Sequence, residues 1–261
     1  MNSFLPGSDK FNIQIPYKNI ESHFLNFLSS QGVHSFELKP DDKNIFFQGK
    51  AKSSSLFLKC DGIIAYYVLV DKCWDKKKIE FFIRSLKEKN TQQVDVIDIG
   101  ANMGLISRQL LCVADSSISK IYCYEPNKIH FECLIKNLKT FQHIKLHNHA
   151  VGNRDGKIKL TSETATQNTR VLLEEGETVI LKLDSMDIHN PDMLKIDVEG
   201  LEMEVLKGGH KLLENIEFVM IELNNNSKKY GSSNKLIQKH MKNLGFKELI
   251  KTWPDIVYRK A

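Results

Sequence analysis

The stretch "VDVIDIGANMG", residues 94–104, constrains what this chain can fold into more than any other. Its apolar run reads as a buried strand, and Gly100 and Gly104 relieve the backbone where that strand turns directly into a helix. Glycine at the bend also lets a small molecule approach the main chain closely. A strand feeding a helix in this way is half of a βαβ unit, and whether the unit repeats decides the fold class.

It does repeat. "KIYCYEP" and "IKLHNHAVG" follow as second and third strands, separated by a helix from Asn127 to about Leu138. "MLKIDVEG" (193–200) and "EFVMIEL" (217–223) supply fourth and fifth buried strands, joined by a helix through Leu213. This repetition predicts parallel strands with helical crossovers, the doubly wound α/β class. The tail, "LGFKELI" and "DIVYRKA" around "KTWP", predicts an antiparallel closure of the sheet. "GKIKLTSE" and "ETVILKLDSM" alternate polar and apolar residues, which predicts extra hairpin strands on one edge.

Residues 1–93 precede this pattern and are expected to form a small α+β cap on the substrate side, with residues 94–261 as the ligand-binding domain. In the cap, "NIESHFLNFLSSQG" has helical spacing, and "SLFLKCDGIIAYYVLV" reads as two strands about Asp61-Gly62. "KKKIEFFIRSLKEKN" reads as an amphipathic helix leading into the core.

Charge narrows the partners. Residues 1–93 carry 14 Lys plus Arg against 10 Asp plus Glu, and the remainder 23 against 22, so the motif-bearing part is nearly neutral. A nucleic-acid binder would concentrate a basic stripe, so no nucleic-acid partner is expected, and "DKKK" at 75–78 reads as a solvated helix face. Five cysteines, odd in number and without a close pair, predict reduced thiols in a cytoplasmic protein rather than a disulfide framework or a zinc knuckle. The N-terminus lacks a signal-type apolar core, and the longest apolar run, residues 63–70, is too short to span a bilayer. No integral membrane segment is therefore expected, although a soluble enzyme can still visit a membrane-borne acceptor.

Ligands of open parallel sheets sit beyond the carboxyl ends of the strands, where strand order reverses. Asp98, Gly100, Asn102 and Gly104 fall there. A dinucleotide loop would read G-x-G-x-x-G, whereas this one reads D-x-G-x-N-x-G. A carboxylate at Asp98 repels a phosphate and favours an ammonium, directly or through water. Glu125 lies 21 residues beyond Gly104, at the end of the next strand, where an acid can accept two hydrogen bonds from a ribose diol. Together Asp98 and Glu125 select S-adenosyl-L-methionine over NAD as the expected cofactor. Asn148 and Ala150 fall where adenine would lie, with Asn148 readable equally as a strand-end turn residue. His143, His147 and His149 share a strand face, and their alternation with Ile144 and Leu146 reads as an ordinary half-buried strand rather than a metal site.

In "LKIDVEG", Lys195, Asp197 and Glu199 alternate along the end of a strand whose other face is Leu194, Ile196 and Val198. Three charges on one side would be costly to bury without purpose. An alternative is that Lys195 and Asp197 only pair while Glu199 caps the next helix. Their position at the central strand's carboxyl end, beside the expected cofactor, favours a catalytic role.

The stretches "IDIGANMG", "YEPN", "HNHAVGNRDGKIKL", "LKLDSM" and "LKIDVEGLEMEVLKGGHKLL" resemble, in order, the FkbM-like family of class I S-adenosylmethionine-dependent methyltransferases. The resemblance implies a seven-stranded, mostly parallel Rossmann-like core with an antiparallel C-terminal strand. It also implies methyl transfer, commonly to a hydroxyl of a sugar, glycan or secondary metabolite. A neutral alcohol is a poor nucleophile, so a carboxylate acting as base is expected, with Asp197 slightly preferred, Glu199 positioning and Lys195 tuning both. An alternative is a Mg²⁺-assisted enzyme holding its ion with Asp197, Glu222 and Asn224. An NAD-dependent oxidoreductase and a non-catalytic cofactor-binding scaffold are the other classes this sequence allows.

Overall fold

Alternation along β3 (Val94–Ile99) sends Val94, Val96 and Asp98 to one face of a sheet, and Ile97 and Ile99 to the other. The computed structural model describes residues 35–39, 52–59, 73–88, 93–161, 171–172, 174–189 and 191–261, with Phe46, Gln48, Lys50, Ile64, Tyr67, Val68 and Asp71 between them. Within these, β3 is an interior strand of a seven-stranded sheet. On one side of it lie β4 (Ile118–Tyr124) and β5 (Ile144–His147). On the other lie β10 (Met193–Ile196), β11 (Phe218–Glu222), β13 (Asp255–Lys260) and the edge strand β12 (Phe246–Thr252). The first five strands run parallel, and β13 is antiparallel to both β11 and β12. This is the mostly parallel α/β sheet with an antiparallel C-terminal closure that the sequence predicts.

Two layers of helix cover the sheet. The face carrying Val94 and Val96 packs against α1 (Lys76–Glu88), α2 (Leu105–Ala114) and α3 (Lys128–Leu138) through Phe82, Leu110 and Leu134. The face carrying Ile97 and Ile99 packs against α4 (Glu202–Lys207), α5 (His210–Asn215) and α6 (Asn234–Asn243) through Val205, Leu213 and Met241. Chain order reverses between β3 and β10, so their carboxyl ends flank the switch point where ligands of such sheets bind.

Several elements depart from expectation. The third strand is not continuous: β5 stops at His147, and β6 (Ala150–Gly152) joins a different sheet. At the break, the Asn148 side-chain amide donates to the carbonyls of Glu125 (2.8 Å) and Pro126 (3.1 Å), which turns the chain away from β4. β6 pairs with β9 (Thr178–Lys182), and β7 (Gly156–Leu160) and β8 (Val171–Leu172) complete a four-stranded sheet. The predicted hairpin strands thus form a sheet of their own rather than an edge of the main one. The helix expected through Leu213 is two short helices, broken at Gly208 and Gly209.

Of the two strands expected about Asp61-Gly62, the first is β2 (Leu56–Lys59), paired antiparallel with β1 (Ser35–Leu38). The described residues after it, Ile64, Tyr67 and Val68, are helical, and Ile64 and Val68 share one helical face buried against Met103 and Leu105. The helix expected at residues 19–32 lies outside the described residues. Arg108, fully buried on α2, fastens the N-terminal segment to the sheet's helical layer. Its guanidinium donates to the carbonyls of Phe46 (2.8 Å), Ser55 (2.9 Å), Ser54 (2.9 Å) and Asn137 (3.0 Å).

Candidate active site

The loop after β3 is built around backbone crowding. Gly100 has φ of +78°, and a Cβ there would stand 1.7 Å from the carbonyl oxygen of Asp197, so only glycine fits. Asn102 also adopts positive φ. Every N–H from residue 100 to residue 104 is already bonded within the protein. Gly100 and Ala101 donate to Tyr124 O (3.0 Å each), and Gly104 to Ala101 O (2.8 Å). Asn102 donates to Glu125 Oε2 (2.8 Å), and Met103 to Asn102 Oδ1 (2.7 Å). Within residues 100–104 a pyrophosphate would find no free N–H, unlike the glycine-rich loop of a dinucleotide site.

Glu125 ends β4 with its carboxylate fixed on both sides. Oε2 accepts from Asn102, and Oε1 accepts from Asn127 N–H at 2.8 Å. Burial raises its carboxyl above the ordinary range, while His130 and the two N–H donors pull the other way. Glu125 and Ala150 line a cavity of about 280 Å³ open to solvent, together with Gly100 and Asn102. Asn148 does not line it, because its amide is spent on the turn that ends β5.

Asp98 is placed differently from the sequence picture of a ligand-facing acid. It is 2% exposed, accepts from Ser107 Oγ at 2.7 Å, and meets Lys195 Nζ at 2.9 Å. The two are register partners on adjacent strands, so the pairing follows directly from the β3–β10 alignment. Lys195 also donates to Gly100 O (3.0 Å) and lies 3.7 Å from Asp197. Burial works against its charge, and Asp98 and Asp197 outweigh it, holding Lys195 above the usual lysine range.

A second ammonium completes the network, and the sequence picture missed it. Lys78, expected on a solvated face, is 4% exposed. Its Nζ lies 2.8 Å from Glu222, 3.0 Å from Asp75, 3.2 Å from Asp255 and 3.5 Å from Asp197. Helical spacing carried the signal: Lys78, Phe82 and Ser85 form one buried stripe of α1, whereas Lys76 and Lys77 point to solvent. Burial opposes the charge of Lys78, but the four carboxylates win and hold it well above the usual range. Burial likewise works to raise Asp197, and Lys78 and Lys195 outweigh it, so Asp197 stays ionised. Burial followed by Asp197 pushes Glu222 up, and burial pushes Asp255 up to about 7.

Glu199 does not reach the site by strand alternation, since β10 ends at Ile196. It sits at φ of +53° in the turn before α4, followed by Gly200 at +119°. Its Oε2 accepts from the amides of Asn226 (2.9 Å) and Asn224 (3.0 Å), and the side chain lines the cavity. Burial, then Asp197 and Glu222, push its carboxyl up to about 7. Glu202 is fully buried behind it. Its Oε1 accepts from Gly200 N–H at 2.8 Å, which ties down the turn that carries Glu199.

The geometry does not suit the Mg²⁺ alternative. Lys78 already bridges Asp197 and Glu222, and the Asn224 side-chain oxygen accepts from Asn226 N–H at 3.2 Å while its amide donates to Glu199. The three histidines do not converge either: His143 pairs with Asp115 (3.1 Å), His147 stacks on Tyr124, and His149 lines the cavity. Among the described residues no cluster of three or more His, Cys, Asp or Glu is arranged to hold a metal ion. No helix among them is long and apolar enough to cross a membrane.

The sequence matches the Methyltransferase FkbM domain over residues 60–248. It is 26% identical over 183 residues to the hexuronic acid methyltransferase AglP of Haloferax volcanii, covering 65% of this chain and 74% of that protein. Among solved structures it is similar to methyltransferase FkbM of Methylobacillus flagellatus, with 16% identity and a TM-score of 0.44 over 64% of this chain. It spans only 43% of that protein's length. It is also similar to TrmK of M. capricolum in complex with S-adenosylhomocysteine, at 14% identity and a TM-score of 0.39 over 69% of this chain and 68% of that one. With the family pattern spanning most of its length and carrying the loop and strand ends just described, the chain belongs to the FkbM family of S-adenosylmethionine-dependent methyltransferases.

Proposed function

We propose that this chain moves a methyl group from S-adenosylmethionine to a hydroxyl oxygen of a sugar or similarly hydroxylated acceptor, with Glu199 taking up the proton. The methyl donor fits the residues present. Glu125 has two fixed oxygens for a ribose diol, the surroundings are rich in carboxylate, and the N–H groups of the 100–104 turn are already bonded, which suits a cationic ligand. When bound, S-adenosylmethionine supplies an electrophilic sulfonium methyl; the protein has to orient the acceptor and hold its proton.

The observation that carries the proposal is the state of Glu199. One oxygen is held by two amides, the side chain borders the cavity, and burial brings its carboxyl to about 7, where a base works best near neutral pH. Sequence alone ranks Asp197 ahead of it. The electrostatics favour the reverse, because two ammonium groups hold Asp197 ionised and make it a weaker base. Asp197 and Lys195 are then positioning residues that fix the strand end beneath the cavity. The name of the Haloferax volcanii relative supports a sugar acceptor. Calorimetric titration with S-adenosylhomocysteine and, separately, NAD tests the donor without knowledge of the acceptor: the first is expected to bind and the second not, and the opposite result ends the proposal.

A further inference from the structure

The same cavity is also bordered by Ile64, Trp74, Asp75, Lys78, Glu199 and Glu222, here called its acceptor half. Resting on the methyltransferase reading, we propose that this half holds a sugar acceptor that carries no anionic group near the reacting hydroxyl, with amino sugars preferred over neutral ones.

Five carboxylates, from Asp75, Asp98, Asp197, Glu222 and Asp255, face two ammonium groups, from Lys78 and Lys195, and a sixth, from Glu199, borders the same cavity. Protons taken up by Glu199, Glu222 and Asp255 still leave a surplus of negative charge. Neither ammonium is free to receive an acceptor's carboxylate. An ammonium has three N–H donors, and Lys78 has four carboxylates within 3.5 Å. Lys195 is engaged by Asp98, Gly100 O and Asp197. Among the described residues lining the cavity there is no arginine and no further lysine. A uronate or phosphate would have to strip a buried ion pair to find an ammonium partner, leaving carboxylates uncompensated. Hydroxyls and ammonium groups, in contrast, can donate to the oxygens already there.

The wall is built for a sugar as well. Trp74 lines this half, and its main chain is pinned on both sides by Gln109, whose Oε1 accepts from Trp74 N–H (2.9 Å) while its amide donates to Trp74 O (2.8 Å). Tyr67 packs against it at 6.1 Å between ring centroids. A fixed aromatic beside several acceptor oxygens is a combination that holds a polyol by its apolar face and its hydroxyls together. The acceptor preference inferred here departs from the name of the Haloferax volcanii relative, whose acceptor is a hexuronic acid.

The test is retention of the full-length chain, with saturating S-adenosylhomocysteine, on a panel of matched glycosides: 2-amino-2-deoxyhexosides, neutral hexosides and hexuronides. Amino and neutral glycosides are expected to be retained, the amino form more strongly, and the hexuronides roughly tenfold less or worse. Asp75→Asn is expected to narrow that gap. Hexuronides retained as well as neutral glycosides, or no glycoside retained, would overturn the proposal. Titration with S-adenosylhomocysteine involves no acceptor, so a normal titration with the wrong panel order sinks the acceptor assignment alone.

Discussion

Glu199 and Glu202 lie three residues apart in different surroundings, and the proposed role of the first and the burial of the second make their protons separately testable. Glu199 borders the cavity and is pushed up to about 7, so as a base it is competent only above that point. The acidic limb of the kcat/KM profile is expected to rise with pH through about 7. Glu199→Gln should lower turnover by about 100-fold or more and abolish that limb, while leaving S-adenosylhomocysteine affinity within a few-fold. Steady-state rates across pH 5.5–9, beside calorimetry, separate these outcomes. Glu202 is buried, and its carboxyl is also pushed up to about 7, chiefly by burial. The folded state therefore binds this proton more tightly than the unfolded chain, and the stability that goes with it is lost as pH rises from about 4.5 to about 7. Glu202→Gln should flatten that fall by on the order of 2 to 3 kcal/mol, read from urea midpoints at pH 5 and pH 8. A variant whose stability changes equally at both pH values would contradict this.

At the scale of elements, α1 is joined to the site by a single side chain that does two things at once. Lys78 comes from α1 yet neutralises strand-end acids of β11 and β13, so docking of that helix and the charge balance of the cavity are one interaction. Lys78→Met should cost about 3 to 5 kcal/mol, because it strands buried carboxylates, and the loss should shrink at low pH where they are protonated. Arg108, from α2, instead holds the N-terminal segment through the carbonyls of Phe46, Ser54 and Ser55. Arg108→Met should raise protease sensitivity before residue 73 while leaving the central sheet cooperative, which limited proteolysis with mass spectrometry would show. The helices and parallel strands were legible because periodicity of 3.6 and of 2 is written in the chain. The break after His147 was not, because it depends on where the Asn148 amide lands, on carbonyls 22 and 23 residues away.

For the whole molecule, ligand binding and folding are linked. S-adenosylhomocysteine at 100 times its Kd should stabilise the chain by about 2.7 kcal/mol, while NAD should leave the melting temperature unchanged. A thermal shift with NAD alone would count against the cavity described here.

Sequence determined the class of fold and grouped the candidate residues: a D-x-G-x-N-x-G turn after a buried strand, an acid at the end of the next, and charged residues closing β10 all fall at one end of a parallel sheet. Those are local patterns, set by backbone sterics and side-chain periodicity. Tertiary structure decided the chemistry within that frame. Whether Asp98 faces a ligand or a lysine, whether Lys78 is solvated or caged, and whether Asp197 stands beside an ammonium are settled by contacts between residues about 100 or more apart. Electrostatic energy falls off with distance and depends on burial, and neither distance nor burial is a property of a residue's place in the chain.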